Sequence, residues 1–230
     1  MNILAIDTSQ QWLNLVFCDE NRIISFYSEQ LGNQHAEKFV GALDQLLLNA
    51  HAGIKVVNLI AVTTGPGSFT GLRVGISFAK GLAMALDIKC LPLNTLDAMA
   101  AQAGITHGTV APMIDAKKGQ VYTALYNVKN GNATLSSEYC AVDPAEWLGK
   151  LPPDTAVLGS GAIAYKGMIQ SGFPSIKLLD DKIPSPTPES IYKSTIERLK
   201  QSQPIDLSDL QAFYVRPADA ELKPKNSAMH

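Results

Sequence analysis

The sequence predicts an α/β protein built as two successive units of one topology, each a mixed sheet flanked by helices. Three observations carry that prediction. Three apolar, strand-like runs joined by short turns open the chain, helix-period and strand-period segments then alternate, and the same order restarts at Val110. The composition agrees. With 46% apolar and 17% charged residues, the chain is neither disordered nor a coiled coil, and 230 residues can bury an ample core without a disulfide or metal staple.

Ile3 to Asp7 is a continuous apolar run, the pattern of a strand buried on both faces. Trp12 to Cys18 and Arg22 to Tyr27 follow, separated by the turn Asp19-Glu20-Asn21, so the first three strands form an antiparallel meander. From Gln34 to His51, residues Ala36, Phe39, Val40, Leu43, Leu46, Leu47 and Ala50 fall on one helical face. Val57 to Thr64 is the next strand, Thr70 to Leu86 the next helix, and Ile88 to Leu91 a short strand. This β-β-β-α-β-α-β order is that of the ribonuclease H-like fold.

Val110 to Asp115, Gln120 to Tyr126 and Ala133 to Val142 repeat the three strands. A helix from Asp143 to Gly149, a strand Ala156 to Leu158 and a helix Ala162 to Gln170 continue the repeat. The loop Pro184 to Pro188 then leads to a last helix, Glu189 to Gln201. The expected organisation is a first lobe over 1–105 and a second, degenerate lobe over 106–218, whose C-terminal segment could pack back on the first, with a frayed polar tail over 219–230. Two such lobes resemble the superfamily of actin, sugar kinases and acetate kinase. Its members bind ATP between lobes, using an Asp-bearing turn after the first strand of each.

The matching turns here are Asp7-Thr8-Ser9-Gln10 and Asp115-Ala116-Lys117-Lys118. By that resemblance Asp7, Thr8, Ser9, Asp115 and Lys117 are candidate nucleotide-binding residues, and a stand-alone ATP-dependent kinase or ATPase is the alternative function. Phosphate-binding turns, however, carry Gly where backbone meets anion, and the first turn has none. Both aspartates read equally well as strand-end turn formers.

Charge and targeting narrow the classes further. With 19 basic and 21 acidic residues the net charge is −2, which does not suit a stand-alone nucleic-acid binder. Arg73, Lys80 and Asp87 interrupt the greasiest stretch, so no membrane span of roughly 18–20 apolar residues is expected. Cys18, Cys90 and Cys140 lie far apart without CxxC spacing and read as buried, reduced thiols. No basic n-region precedes Ile3, so the N-terminus reads as a strand rather than a signal peptide, and the expected compartment is the cytoplasm.

Gly65-Pro66-Gly67-Ser68-Phe69-Thr70-Gly71 is the most distinctive stretch, lying between a strand and a helix where backbone N–H groups could cradle an anion. It fails each catalytic template. Leu72-Arg73 stands where a P-loop needs Lys-Ser/Thr, and Pro66 and Thr70 stand where a nucleophile elbow around Ser68 needs glycines. The structural explanation is that Gly65 and Gly67 turn the chain and Ser68 or Thr70 caps the helix.

That helix is apolar on two sides: Leu72, Ile76, Ala79, Leu82, Ala83 and Leu86 on one, Val74, Phe78, Gly81 and Ala85 on another. One side covers the sheet; the other meets the helix Gln34–His51 or another protein, with Gly75 and Gly81 allowing close approach. Leu48, Val74, Phe78, Gly81 and Ala85 are the expected partner surface, and self-pairing through it predicts a homodimer of the isolated chain.

Gly65 to Gly75, together with Ile6-Asp7-Thr8-Ser9, Asp115 to Tyr122 and Tyr214-Val215-Arg216-Pro217, gives the chain a resemblance along almost its whole length to the TsaB (YeaZ) family. The resemblance implies a role in making N6-threonylcarbamoyladenosine, the modified base beside the anticodon of tRNAs that read codons starting with A. In that system TsaD transfers the threonylcarbamoyl group, TsaB is a non-catalytic paralogue that binds and activates TsaD, and TsaE is a third, ATPase partner. It therefore implies a TsaD heterodimer similar to the homodimer, tRNA contact chiefly through TsaD, and no cofactor or metal of the chain's own.

TsaD proteins carry a metal-binding His-x-Glu-Gly-His motif. At that place this chain reads Thr95-Leu96-Asp97-Ala98-Met99. His35, His51, His107 and His230 show no i, i+4 pair and read as surface or capping residues.

Overall fold

The computed structural model describes residues 1–179 and 184–215. The expected tail 219–230, and Arg216 and Pro217 of the C-terminal motif, lie outside the described residues. In the first sheet β1 (Ile3–Asp7), β2 (Trp12–Cys18) and β3 (Ile23–Gln30) form the antiparallel meander. β4 (Leu59–Gly65) and β5 (Lys89–Asn94) extend it in parallel beyond β1, giving the order β3-β2-β1-β4-β5. β1 and β4 are buried at every residue, which is why Ile3 to Ile6 and Leu59 to Val62 are apolar throughout.

The two faces of this sheet are covered by different parts of the chain. Leu4, Ile6, Leu13 and Leu15 pack against α1 (His35–Asn49) and α2 (Phe69–Leu86). Ile3, Ala5, Val16 and Leu59 on the opposite face pack against Ile191 of α7 (Pro188–Gln201), the last helix, which returns from the far end of the sequence. Pro184 to Pro188 ends in a capping box on α7, with the Thr187 side chain accepting from Ser190 N–H.

β5 runs further than the apolar pattern predicts, through Pro92. The N–H of Cys90 points outward to the Ile205 carbonyl at 3.0 Å, so the absent N–H of Pro92, two residues on, would also have faced the sheet edge. The sequence reading gives no element to α3 (Thr95–Ala100), a short helix that Asn94 caps by accepting from Leu96 N–H at 2.8 Å.

The second sheet repeats the first strand for strand: β10-β7-β6-β11-β12 against β3-β2-β1-β4-β5. β6 (His107–Lys117) pairs in one antiparallel register with β7 (Gln120–Thr123) and β8 (Tyr126–Lys129). The single strand expected over 120–126 is thus broken at Ala124-Leu125. Its neighbour over 133–142 divides likewise, into β9 (Asn132–Leu135) and β10 (Cys140–Val142). Ser136 and Ser137 accommodate the break: Ser136 N–H donates to the Leu125 carbonyl (2.8 Å), and Leu125 N–H donates to Ser137 Oγ (2.9 Å).

α4 (Pro144–Lys150), capped by Asp143, precedes β11 (Ala156–Leu158), which lies parallel to β6 and to β12 (Lys177–Leu178). The helix expected over 162–170 divides into α5 (Ser160–Ala164) and α6 (Lys166–Gly172). Tyr165 between them leaves helical geometry as it packs into the second core. The protein is therefore the α/β fold the element order predicts, a pair of ribonuclease H-like units.

Two expectations about the helices change. Ala36 and Val40 lie outside the buried face of α1, which instead comprises His35, Phe39, Ala42, Leu43, Leu46 and Leu47. α2 also reaches, at 18 residues and mean hydropathy 1.2, the length and composition of a membrane span that the sequence reading denied it. Leu72, Ile76, Ala79 and Ala83 turn part of that apolar content into the protein's core, while Met84 and Ala85 leave part of it exposed. Cys18 and Cys90 are buried and Cys140 is half-buried, all three as free thiols. Burial pushes the Cys18 thiol up to about 12 and the Cys90 thiol up to about 11.

Candidate functional site

The two stretches singled out from the sequence meet in space. α2 begins beside the turn that follows β1, and the glycines just before it and in its first turns are what allow the approach. A side chain at Gly67 would collide with the Ser9 carbonyl oxygen, one at Gly71 with the Thr8 carbonyl oxygen, and one at Gly75 with the Thr8 hydroxyl. Gly75 thus serves contact within the chain rather than the close approach of another helix.

Hydrogen bonds lock the junction. Ser68 N–H donates to the Ser9 carbonyl at 2.7 Å, and Thr8 Oγ1 donates to the Gly71 carbonyl at 2.7 Å. Ser68, not Thr70, caps the helix, accepting from Gly71 N–H at 3.2 Å. The first turn needs no glycine of its own because the opposing helix supplies them.

Asp7, Thr8 and Ser9 are all fully buried. Asp7 Oδ1 accepts from Thr63 Oγ1 (2.7 Å) and Ser9 N–H (3.1 Å), and Oδ2 accepts from Asn14 Nδ2 (3.2 Å). Asn14 is itself fixed, donating to the Pro186 carbonyl (3.1 Å) and accepting from Ser28 Oγ (2.7 Å). The carboxylate therefore ties β1, β2, β4 and the loop before α7 together.

Asp115 occupies the equivalent strand end in the second sheet, in a different environment. It is partly exposed, and its carboxylate pairs with Lys117 Nζ at 2.7 Å within a hairpin whose Lys117 and Lys118 both have positive φ. Among the described residues the two aspartates share no hydrogen-bond partner. The sheets are instead linked by residues the sequence reading passed over. Asp115 N–H donates to Ser160 Oγ (3.2 Å), and Ser160 Oγ donates to Gln10 Oε1 (2.8 Å). Gln10 Nε2 lies 3.6 Å from Met99 Sδ.

On the outer side of the α1–α2 pair the expected partner residues separate into two groups. Phe78 is turned inward and stacks on Phe39 of α1, with ring centroids 3.9 Å apart and planes within 6°; Val74 is half-buried. Each of the two facing rings takes one face of the other out of water. Gly81, Ala85 and Leu48 are exposed, Leu48 at 74%. Met84, which the sequence reading put on neither side, is 73% exposed, and Val40, which it put on the apolar face of α1, is 57% exposed. Met84 continues the polar line of Arg73, Ser77 and Lys80 at helical spacing, so its exposure was legible in principle.

His35, expected as a surface or capping residue, is buried, and its Nε2 donates to the Trp12 carbonyl at 3.2 Å. In α3 the hydroxyl of buried Thr95 has no hydrogen-bond partner among the described residues, Met99 packs against Gly159, and Asp97 points elsewhere. Asp97 Oδ1 accepts from Tyr126 and Tyr139 hydroxyls at 2.7 and 2.8 Å. Burial pushes the Asp97 carboxyl above its ordinary value, against the opposing effect of those two hydrogen bonds. Among the described residues no three His, Cys, Asp or Glu side chains converge as a metal site requires.

Comparison with known proteins places this geometry in context. The family model for TsaD, tRNA N6-adenosine threonylcarbamoyltransferase, matches residues 26–204. The tRNA threonylcarbamoyladenosine biosynthesis protein TsaB of Bacillus subtilis (strain 168) is 33% identical, covering 97% of this chain and 97% of its own length. TsaB of Escherichia coli (strain K12) is 25% identical, covering 94% of this chain and 95% of its own. The solved structure of YeaZ from Pseudomonas aeruginosa shares the fold with a TM-score of 0.80 at 24% identity, covering 93% of this chain and 99% of that one.

Proposed function

The chain belongs to the TsaB (YeaZ) family, within the wider group the TsaD family model describes, and on that premise we propose that it is a non-catalytic subunit in tRNA threonylcarbamoyladenosine biosynthesis. In this reading it works in the cytoplasm, binds and activates TsaD, meets TsaE in the larger complex, and reaches tRNA only through TsaD. The observation that carries the accessory role is the state of the first turn. Asp7, Thr8 and Ser9 have no solvent-exposed surface, and both Asp7 carboxylate oxygens are committed to the protein's own donors. A nucleotide-hydrolysing relative would need that carboxylate available to a hydrated cation. Thr95 and Met99, where TsaD proteins carry histidines, support the same reading.

The partner surface we propose is the outer side of α1 and α2. Leu48, Gly81 and Ala85 form it together with Val40 and Met84, while Val74 and Phe78 support it from beneath. Large apolar side chains left in water beside small ones are the composition of a protein–protein contact. A two-fold axis would let the same surface pair with itself in the isolated chain.

The test is light scattering and sedimentation of the chain alone and mixed with purified TsaD, for the wild type, Ala85→Glu and Met84→Glu. Both variants are expected to stay folded, run as monomers and fail to bind TsaD. Variants that self-associate and bind TsaD as before would place the interface elsewhere. Reconstituted tRNA modification with and without the chain tests the activating role directly, and transfer by the chain without TsaD would overturn it.

A further inference from the structure

A second concavity, on a different part of the molecule, opens between α7, α3 and the β8–β9 hairpin. Its volume is about 670 Å³, within the range of small-molecule sites, roughly 300–1,000 Å³. We propose that this cavity binds a small organic anion, with a carboxylate or phosphate group held by Arg198 and a planar body lying along Tyr139 and Tyr192.

Arg198 carries the argument. Its Nε is buried and donates to no acceptor, and its guanidinium forms no ion pair with any described residue. A guanidinium N–H withdrawn from water without an acceptor is costly, and an anionic oxygen in the cavity would remove that cost. The surrounding charge points the same way. Lys193, Arg198 and Lys200 line the cavity against only two carboxylates, Asp97 and Glu197. Glu197 is already engaged by Lys200 at 3.3 Å, and Asp97 Oδ1 by the two phenols. Arg198 acts on Asp97 only through space. One cation is left without a counter-charge, beside the Tyr139 ring, whose hydroxyl Asp97 holds in place, and the Tyr192 ring, whose hydroxyl donates to the Glu20 carbonyl at 3.4 Å.

This inference is independent of the partner reading, because no residue of α1 or α2 lines the cavity. Isothermal titration calorimetry on the full chain at low salt, with AMP, benzoate and inorganic phosphate as separate probes, distinguishes a nucleotide phosphate, an aromatic carboxylate and a bare ion. AMP or benzoate is expected to bind with a Kd below ~1 mM. Arg198→Met, which keeps the apolar stem, should weaken that binding about tenfold or more, while Lys150→Met on α4 leaves it unchanged. Should Arg198→Met fail to fold, backbone and tyrosine NMR shifts of the wild-type protein decide, since they must centre on Tyr139, Tyr192 and Arg198. Binding of neither organic probe, a response to phosphate alone, shifts centred elsewhere, or affinity unchanged in a folded Arg198→Met overturns the proposal.

Discussion

Replacing Gly71 with alanine places a methyl group against the Thr8 carbonyl oxygen, well inside the 3.0 Å that Cβ atoms keep from their neighbours. Neither partner is a flexible side chain. One is the backbone at the first turn of α2, and the other is the backbone leaving β1. The helix start must therefore retreat from the turn, and it carries with it the 2.7 Å bond from Thr8 Oγ1 to the Gly71 carbonyl and the 2.7 Å bond from Ser68 N–H to the Ser9 carbonyl.

Overpacking of this kind costs about 1–3 kcal/mol, and each hydrogen bond lost adds about 1 kcal/mol. The expected destabilisation is roughly 3–5 kcal/mol, a large share of the ~5–15 kcal/mol that holds a domain together. Gly81, ten residues along the same helix, is the internal control. A methyl group there meets nothing within 4 Å, so Gly81→Ala should gain about 0.5–1 kcal/mol from backbone entropy alone. Urea and thermal unfolding followed by far-UV circular dichroism measure both. A loss below about 1 kcal/mol for Gly71→Ala, or destabilisation by Gly81→Ala, would refute the packing argument.

Three further outcomes are expected. Asp7→Ala leaves Thr63 Oγ1, Ser9 N–H and Asn14 Nδ2 short of an acceptor, at a cost of roughly 2–4 kcal/mol; an unchanged urea midpoint counts against the structural role given to this carboxylate. The raised Asp97 carboxyl binds its proton more tightly folded than unfolded. It therefore favours folding below its ordinary value of about 4, and that advantage is lost as pH rises through the raised folded value. Asp97→Asn, which retains an acceptor for the two phenols, should flatten that fall and raise the Tm at pH 7, and a pH series of melting temperatures reads it. Phe78→Ala removes the ring stacked on Phe39 and should cost about 2–4 kcal/mol, visible as a lower denaturant midpoint even in the monomer. No loss of stability there would mean that Phe78 belongs to the partner surface alone.

The sequence by itself determined what depends on near neighbours along the chain. A continuous apolar run marked β1, a strand-like run marked β4, helical periodicity marked α1 and α2, and the restart at Val110 marked the duplication, because burial on one or both faces imprints directly on residue order. Pro92 and the Ala124-Leu125 break escaped, since a proline tolerated at a sheet edge and a strand stitched by two serines are settled by partners far away in sequence.

Tertiary structure alone decided the character of the candidate site. The first turn looked deficient in glycine, yet Gly67 just before α2 and Gly71 and Gly75 on it stand opposite that turn, some sixty residues away. It also decided which apolar residues of α2 face water. Phe78 and Ala85 share a side by helical angle, but only Phe78 finds an aromatic ring on α1 to lie against. Arg198 and the Asp97–tyrosine cluster come together only because α7 returns to lie on the first sheet beside α3. Helical and strand periods record which face of an element is buried, and they carry no information about which distant element buries it.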